Sequence, residues 1–338
     1  MSAYAIDAET GVLTQISGSP FLAGLNSHSV VADPTGRFLY VANHDSNDVS
    51  AYAIDPATGT LTPIAGSPFA AGSGPHGIAV DPTGHFVYVA NHLSDNVSAY
   101  AINNRSGALT FISGSPFAAG SAPHAVIVDS SGLFVYVANH DSNNISAYRI
   151  TWWGHNLGAL TPISGSPFAA GSGPHGLAID PTDRFLYAAN HASNNVSAYR
   201  ITWWGHNPGA LTPISGSPFA AGSAPHSVVV DLTGHFVYVA NHDSNNISAY
   251  SIRRWGHNLG ALTPISGSPF AAGSGPHSVT IDPTGQFVYV GNHDSNNISA
   301  YAITFWGGSR GALTPISGSP FAGLSPLSIT TTASQDQH

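Results

Sequence analysis

A unit of about fifty residues recurs along the whole 338-residue chain, and no other feature limits its fold so tightly. The histidine of the Pro-His segments stands at His76, His124, His175, His226 and His277, with His28 ahead of them and Leu327 in the same slot at the end. Successive steps are 48, 48, 51, 51, 51 and 50 residues. A regular period in this range belongs to propellers and solenoids.

Within one unit the turn and alternation signals resolve four strands. His76-Gly77-Ile78-Ala79-Val80 alternates and ends in Asp81-Pro82-Thr83-Gly84, a β-turn composition; this is strand A. Phe86-Val87-Tyr88-Val89-Ala90 is apolar on both faces, as a strand buried within a stack is, and forms strand B. A polar connection, Asn91 to Asn96, leads to strand C at Val97 to Ile102. Strand D opens at Leu109 and elsewhere reads Leu-Thr-Pro-Ile. Its prolines (Pro63, Pro162, Pro213, Pro264, Pro315) mark an outer edge, since proline cannot donate to a ladder.

Four antiparallel strands joined by sequential hairpins describe a propeller blade. Ser-Ala-Tyr occurs seven times, ending at Tyr4, Tyr52, Tyr100, Tyr148, Tyr199, Tyr250 and Tyr301, and predicts an all-β, seven-bladed β-propeller. The chain opens with strands C and D and closes with one A-like strand, Leu327 to Thr331. The expectation is a single domain over residues 1–333 with a tail at 334–338, the ring sealed by pairing the N-terminal strands with the C-terminal one. The seventh blade has no evident B strand, and such an open edge favours homo-oligomers.

Composition sets the chemistry available. There is no Lys and no Cys, Glu9 is the only Glu, and the formal net charge is −9. That balance disfavours nucleic acid. Missing cysteine removes disulfides, thiolate metal sites and a Cys nucleophile together, and leaves the compartment open, with a secreted or periplasmic setting favoured over the cytoplasm. No stretch has the length of a membrane-spanning helix, and no membrane partner is expected.

Pro75-His76-Gly77-Ile78-Ala79-Val80-Asp81-Pro82-Thr83-Gly84, followed by Phe86-Val87-Tyr88-Val89-Ala90-Asn91, resembles the YVTN repeat of the lactonase-family β-propellers, the group similar to 6-phosphogluconolactonase. The resemblance covers nearly the whole chain. It implies the propeller fold and, for function, hydrolysis of a sugar lactone. It assigns no catalytic residue, because the family's acidic and basic site side chains have no counterparts that can be matched position by position here.

Two surfaces carry the candidate chemistry. The D-to-A and B-to-C connections lie at the same end of a blade, so the Pro-His histidines and those of Asn-His (His44, His92, His140, His191, His242, His293) form two concentric rings. The inner ring, His28, His76, His124, His175, His226 and His277, is a candidate site for zinc, copper or nickel. Its structural alternative is a set of hydrogen bonds to the neighbouring blade's backbone. Asp45, Asp141, Asp243 and Asp294 follow outer histidines and can orient them, although Asn-His-Asp-Ser-Asn-Asn also has the composition of a hydrogen-bonded turn. At the opposite end the C-to-D connection lengthens from the third unit onward and holds all six tryptophans: Trp152, Trp153, Trp203, Trp204, Trp255 and Trp306. These are candidate ligand-binding residues for a glycan or protein, or else they pack over their own hairpins.

No Gly-x-Ser-x-Gly elbow and no phosphate-binding loop is present. Substitutions that break the repeat (Leu93, Ala192, Ser130, Asp183, Leu232) read as scattered among turns. The reading that follows is a non-catalytic binding or scaffold propeller with a metal or small polar ligand at its histidine-lined mouth. A lactonase-like hydrolase acting on a sugar lactone is the alternative, and glycan or protein binding through the tryptophan loops a third.

Overall fold

The computed structural model describes residues 1–332, so the expected tail at 334–338 lies outside the described residues. Each repeat folds as read. In the second unit strand A is Pro75–Val80, B is Phe86–Asn91, C is Asn96–Ile102 and D is Leu109–Phe111, hydrogen-bonded in that order. The outer edge holds one element that the sequence reading missed: a two-residue strand, Phe117–Ala118, which pairs with the start of strand C.

Among the described residues six such blades are built, not seven. Strand A begins at Ser27 in blade 1 and at Pro75, Pro123, Pro174, Pro225 and Pro276 in blades 2 to 6. The seventh sector holds only a two-stranded hairpin, Tyr4–Ile6 with Leu13–Gln15. Residues 323–332 form no strand, so the terminal strands do not pair to seal the ring. The physical reason is the missing B segment, which elsewhere bridges A to C through a ladder on each side.

Closure comes from side chains instead. Val30 N donates to Ser328 Oγ at 3.3 Å, and Ile329 N to Ser278 Oγ at 3.1 Å, tying the C-terminal segment between the inner strands of blades 1 and 6. Tyr289 Oη donates to the Gly11 carbonyl at 2.7 Å, and Phe287 and Tyr289 pack against Tyr4, Ile6 and Leu13 of the hairpin. A cavity of about 620 Å³ remains in this sector, lined among others by Leu13, Leu39, Val41, Tyr289 and Ile329.

Blades are joined by the same contacts, repeated. Strand-B tyrosines are buried and reach forward: Tyr88 Oη donates to the Gly158 carbonyl at 2.9 Å, and Tyr187 to that of Gly260 at 2.9 Å. Strand-C tyrosines reach backward, as Tyr100 does to the Ala70 carbonyl at 2.6 Å. Each ring removes on the order of 150–250 Å² from water and satisfies its hydroxyl, which holds neighbouring blades together with few ion pairs. Below each strand A, the turn aspartate is buried. Asp81 Oδ1 accepts the N–H groups of His85 and Phe86, and its other oxygen accepts the Thr83 hydroxyl.

Topology also separates charge. Every Arg of the chain lies in the A–B turns, in the C–D connections or at the C–D end of strand C, which is the end opposite the histidines. The histidine end carries Asp45, Asp48, Asp95, Asp141, Asp243 and Asp294 and no cationic Arg or Lys side chain.

Candidate active site at the histidine mouth

The inner histidines converge at the start of the six A strands around a cavity of about 130 Å³. Ring centroids are 4.2 Å apart for His76 and His124, 4.5 Å for His124 and His175, 4.3 Å for His175 and His226, and 4.4 Å for His226 and His277. Leu327 takes the remaining slot with a carbonyl rather than an imidazole.

The ring is not six-fold in its bonding. His76 Nδ1 faces the His124 carbonyl at 3.1 Å, His175 Nδ1 the His226 carbonyl at 3.1 Å, and His277 Nδ1 the Leu327 carbonyl at 2.8 Å. A carbonyl only accepts, so these three imidazoles carry their proton on Nδ1 and leave a lone pair on Nε2. The Nδ1 atoms of His28, His124 and His226 are buried without a partner. For His76 and His175 the approach depends on the glycine that follows the histidine, whereas His277, followed by Ser278, meets the carbonyl of the strandless C-terminal segment. A Cβ at Gly77 would stand 2.5 Å from the His124 carbonyl, and one at Gly176 2.6 Å from that of His226, so only glycine admits these close approaches. Ala125, Ser29 and Ser227 fill the equivalent space. The Gly77 and Gly176 signal was visible in the sequence as an alternation within the repeat, and its meaning became readable only with the neighbouring blade in place.

Burial keeps the inner ring neutral. Desolvation first, and then the neighbouring imidazoles, lower His28 to about 4 and His124 and His226 to about 2, and hold His76 and His175 well below the ordinary value. His277 is lowered to about 4, again chiefly by desolvation.

In the outer ring, Asp45 Oδ1 lies 2.7 Å from His44 Nδ1, Asp141 Oδ1 2.7 Å from His140 Nδ1, Asp243 Oδ1 2.8 Å from His242 Nδ1, and Asp294 Oδ1 3.0 Å from His293 Nδ1. The hydrogen bond from the imidazole holds Asp45 and Asp294 below the usual carboxylate range. The turn reading of this segment is also met. Asn47 and Asn143, at φ 57° and 55°, accept from the backbone N–H of Gly74 and Gly173 in the next blade, each at 2.8 Å.

Leu93 and Ala192 belong to this mouth. His242 Nε2 faces Asp294 of the next blade at 3.9 Å, but the residue at the equivalent position is Leu93 beside His44 and Ala192 beside His140. Both Nε2 atoms lie over the glycine that opens the next D-to-A segment, Gly74 and Gly173. Of the two, His140 meets a single methyl group, and its ring stacks on His124 at 4.6 Å. His140 therefore combines an aspartate-fixed tautomer with an Nε2 whose neighbour in the next blade is reduced to a methyl group.

The tryptophans divide. Trp152 and Trp203 fold back, their Nε1 atoms donating to the Gly132 carbonyl at 2.6 Å and the Asp183 carbonyl at 2.5 Å, with Trp152 against Phe86 and Trp203 against Phe134. Trp153, Trp204, Trp255 and Trp306 are 85–88% exposed at the opposite end of the molecule. Arg254 and Phe305 take the folded-back place in blades 5 and 6.

Comparison with known proteins fits this architecture. The profile of the family described as lactonase, 7-bladed beta-propeller matches residues 1–72, 64–164, 112–224 and 151–322. The chain belongs to this lactonase propeller family. It is 28% identical over 148 residues to the 6-phosphogluconolactonase of Bacillus subtilis (strain 168), and 31% identical over 131 residues to that of Formosa agariphila. These matches cover 42% and 38% of this chain and only 40% and 35% of the relatives. Among solved structures, a putative 6-phosphogluconolactonase of Bacteroides fragilis superposes with TM-score 0.82 at 20% identity, over 97% of this chain and 92% of that one. The periplasmic gluconolactonase of Pseudomonas aeruginosa gives 0.76 at 19% identity, over 96% and 93%. At these identities the two structures speak for the fold. This member of the lactonase family departs from the family description in building six complete blades. The reading of a non-catalytic scaffold is overturned by the curated relatives, which are named 6-phosphogluconolactonase. No helix among the described residues is long and apolar enough to cross a membrane.

Proposed function

We propose that this lactonase-family propeller hydrolyses an unphosphorylated sugar lactone at the histidine mouth, with His140 as general base. The observation that carries the reading is the His140–Asp141 pair at 2.7 Å, whose Nε2 has its neighbour in the next blade reduced to the methyl group of Ala192. Asp141 accepts the Nδ1 proton and fixes the tautomer, the role that orients an imidazole base in hydrolases. Nε2 takes a proton from water as the water oxygen bonds to the lactone carbonyl carbon. The bond from that carbon to the ring oxygen then breaks, and the departing oxygen receives the proton back from the imidazolium, giving the open hydroxy acid.

The charge pattern selects the substrate. A phosphate group would meet six aspartates at this end and no Arg or Lys side chain, while the inner imidazoles stay neutral. A neutral lactone meets no such penalty.

The test is acid release from gluconolactone and from its phosphorylated form, each corrected for spontaneous opening. The reading expects turnover of the first well above the second, and a loss of roughly 10²–10⁴ in kcat for His140→Ala, the usual worth of a general base. A rate indistinguishable from spontaneous opening, or one unchanged in a folded His140→Ala protein, rejects it.

A further inference from the structure

We propose that the inner ring binds one divalent transition-metal ion of the zinc, nickel or copper class, through His175 and either of its two flanking pairs, His76 with His124 or His226 with His277.

Each of the two groups brings three imidazole nitrogens within 4.8 Å of one another. Three histidine nitrogens with an open fourth position are a familiar donor set for such ions, at about 2.0–2.1 Å from metal to nitrogen. That geometry sets the nitrogens roughly 3.3 Å apart, so rotamer adjustments on the order of 1 Å complete the site. His28 lies outside both groups.

A second feature points the same way. His76, His175 and His277 each direct Nδ1–H at a main-chain carbonyl, at 3.1, 3.1 and 2.8 Å. Metal-bound histidines hold their tautomer and ring orientation by this kind of outer hydrogen bond. The two groups place two such imidazoles around one whose Nδ1 is buried and unpartnered, His124 in one and His226 in the other. An ion supplies the partner that this imidazole lacks. Three imidazole nitrogens brought this close in a desolvated ring are costly to maintain empty.

His175 is common to both groups and turns one lone pair to the cavity, so the two cannot be filled together. The stoichiometry is therefore one ion per chain. Loss of His124 or of His226 alone leaves the other group intact, whereas loss of His175 removes both. This redundancy distinguishes the proposed site from adventitious binding at the exposed histidines of the C–D loops, His155, His206 and His257.

The experiment is calorimetric titration of Zn²⁺ into the untagged full chain at neutral pH, with metal content measured after dialysis and fold checked by circular dichroism. Co²⁺ is added separately to read ligand geometry from its visible bands. One ion per chain is expected, with tetrahedral-type Co²⁺ bands. His124→Ala and His226→Ala should each stay within about 10-fold of wild type, and His175→Ala and the double variant His124→Ala/His226→Ala should each lose at least about 100-fold. The double variant keeps the question answerable should His175→Ala fold poorly. No binding to the folded wild type overturns the proposal, as does full binding in either deficient variant or loss only when the C–D loop histidines are replaced. The readout needs no substrate, so metal binding without lactone turnover would reject the lactonase reading and leave this one standing.

Discussion

His76 Nδ1 lies 3.1 Å from the carbonyl of His124 in the next blade, and the absence of a side chain at Gly77 is what lets the two backbones approach that closely. Gly77→Ala would drive a Cβ to 2.5 Å from that carbonyl. The expected cost is about 1–3 kcal/mol, the usual penalty of overpacking. It is measured as a lowered denaturation midpoint with an unchanged slope. Ser227→Ala introduces no such clash but removes the hydroxyl that accepts from Val279 N at 3.2 Å, and should cost about 0.5–1.5 kcal/mol.

Tyr187 is fully buried and donates to the Gly260 carbonyl at 2.9 Å across a blade boundary. Tyr187→Phe keeps the packing but leaves the carbonyl unpaired, and should cost about 1–3 kcal/mol. Tyr187→Ala adds a cavity and should cost about 3–5 kcal/mol. Chemical denaturation of both variants separates the hydroxyl's share from that of the ring.

The inner histidines set the acid limit of the metal-free protein. In the unfolded chain they titrate near pH ~6.5, whereas in the fold His28 and His277 are lowered to about 4 and His124 and His226 to about 2. Below ~6.5 the unfolded state therefore binds more protons, and stability falls as pH falls until the folded values are reached. The denaturation midpoint should be flat from pH ~8 to ~7 and then drop steadily toward pH ~4. A midpoint that is constant or rising over that interval contradicts the burial described for the ring.

Among the tryptophans, Trp152→Phe should be destabilising because it removes the bond to the Gly132 carbonyl, and Trp153→Ala should change stability by less than about 0.5 kcal/mol. Thermal denaturation checks the pair. Emission of the intact protein should be red-shifted and readily quenched by acrylamide, since four of six indoles are exposed.

The seventh sector should be the first to open. Its hairpin pairs on one side only and borders the cavity of about 620 Å³. Hydrogen exchange should be fastest at residues 4–6 and 13–15 and slowest in the fully buried B strands such as Phe134–Asn139.

Much of this was legible from the repeat. The strand order, the outer-edge prolines, the packing tyrosines and the common surface of the two histidine rings follow from period and alternation, because each blade obeys one local rule. The blade count failed for a related reason. A copy number read from Ser-Ala-Tyr counts strand C alone, and a blade exists only where strand B bridges A to C; the sector holding Tyr4 lacks that strand. The place of Leu93 and Ala192 was also missed. In the sequence they interrupt a turn, while in the ring each decides what the neighbouring blade's histidine meets, His44 in one case and His140 in the other. A residue whose role is defined across a blade boundary has no local signature.

The segregation of charge along the channel axis gives the mouth a direction. On the proposed reaction a sugar lactone would arrive uncharged and leave as a carboxylate, so the same six aspartates that ignore the substrate would repel the product. For that reaction the mouth would act as an electrostatic valve, admitting the closed ring and expelling the opened one, and salt that screens the field would make the product linger.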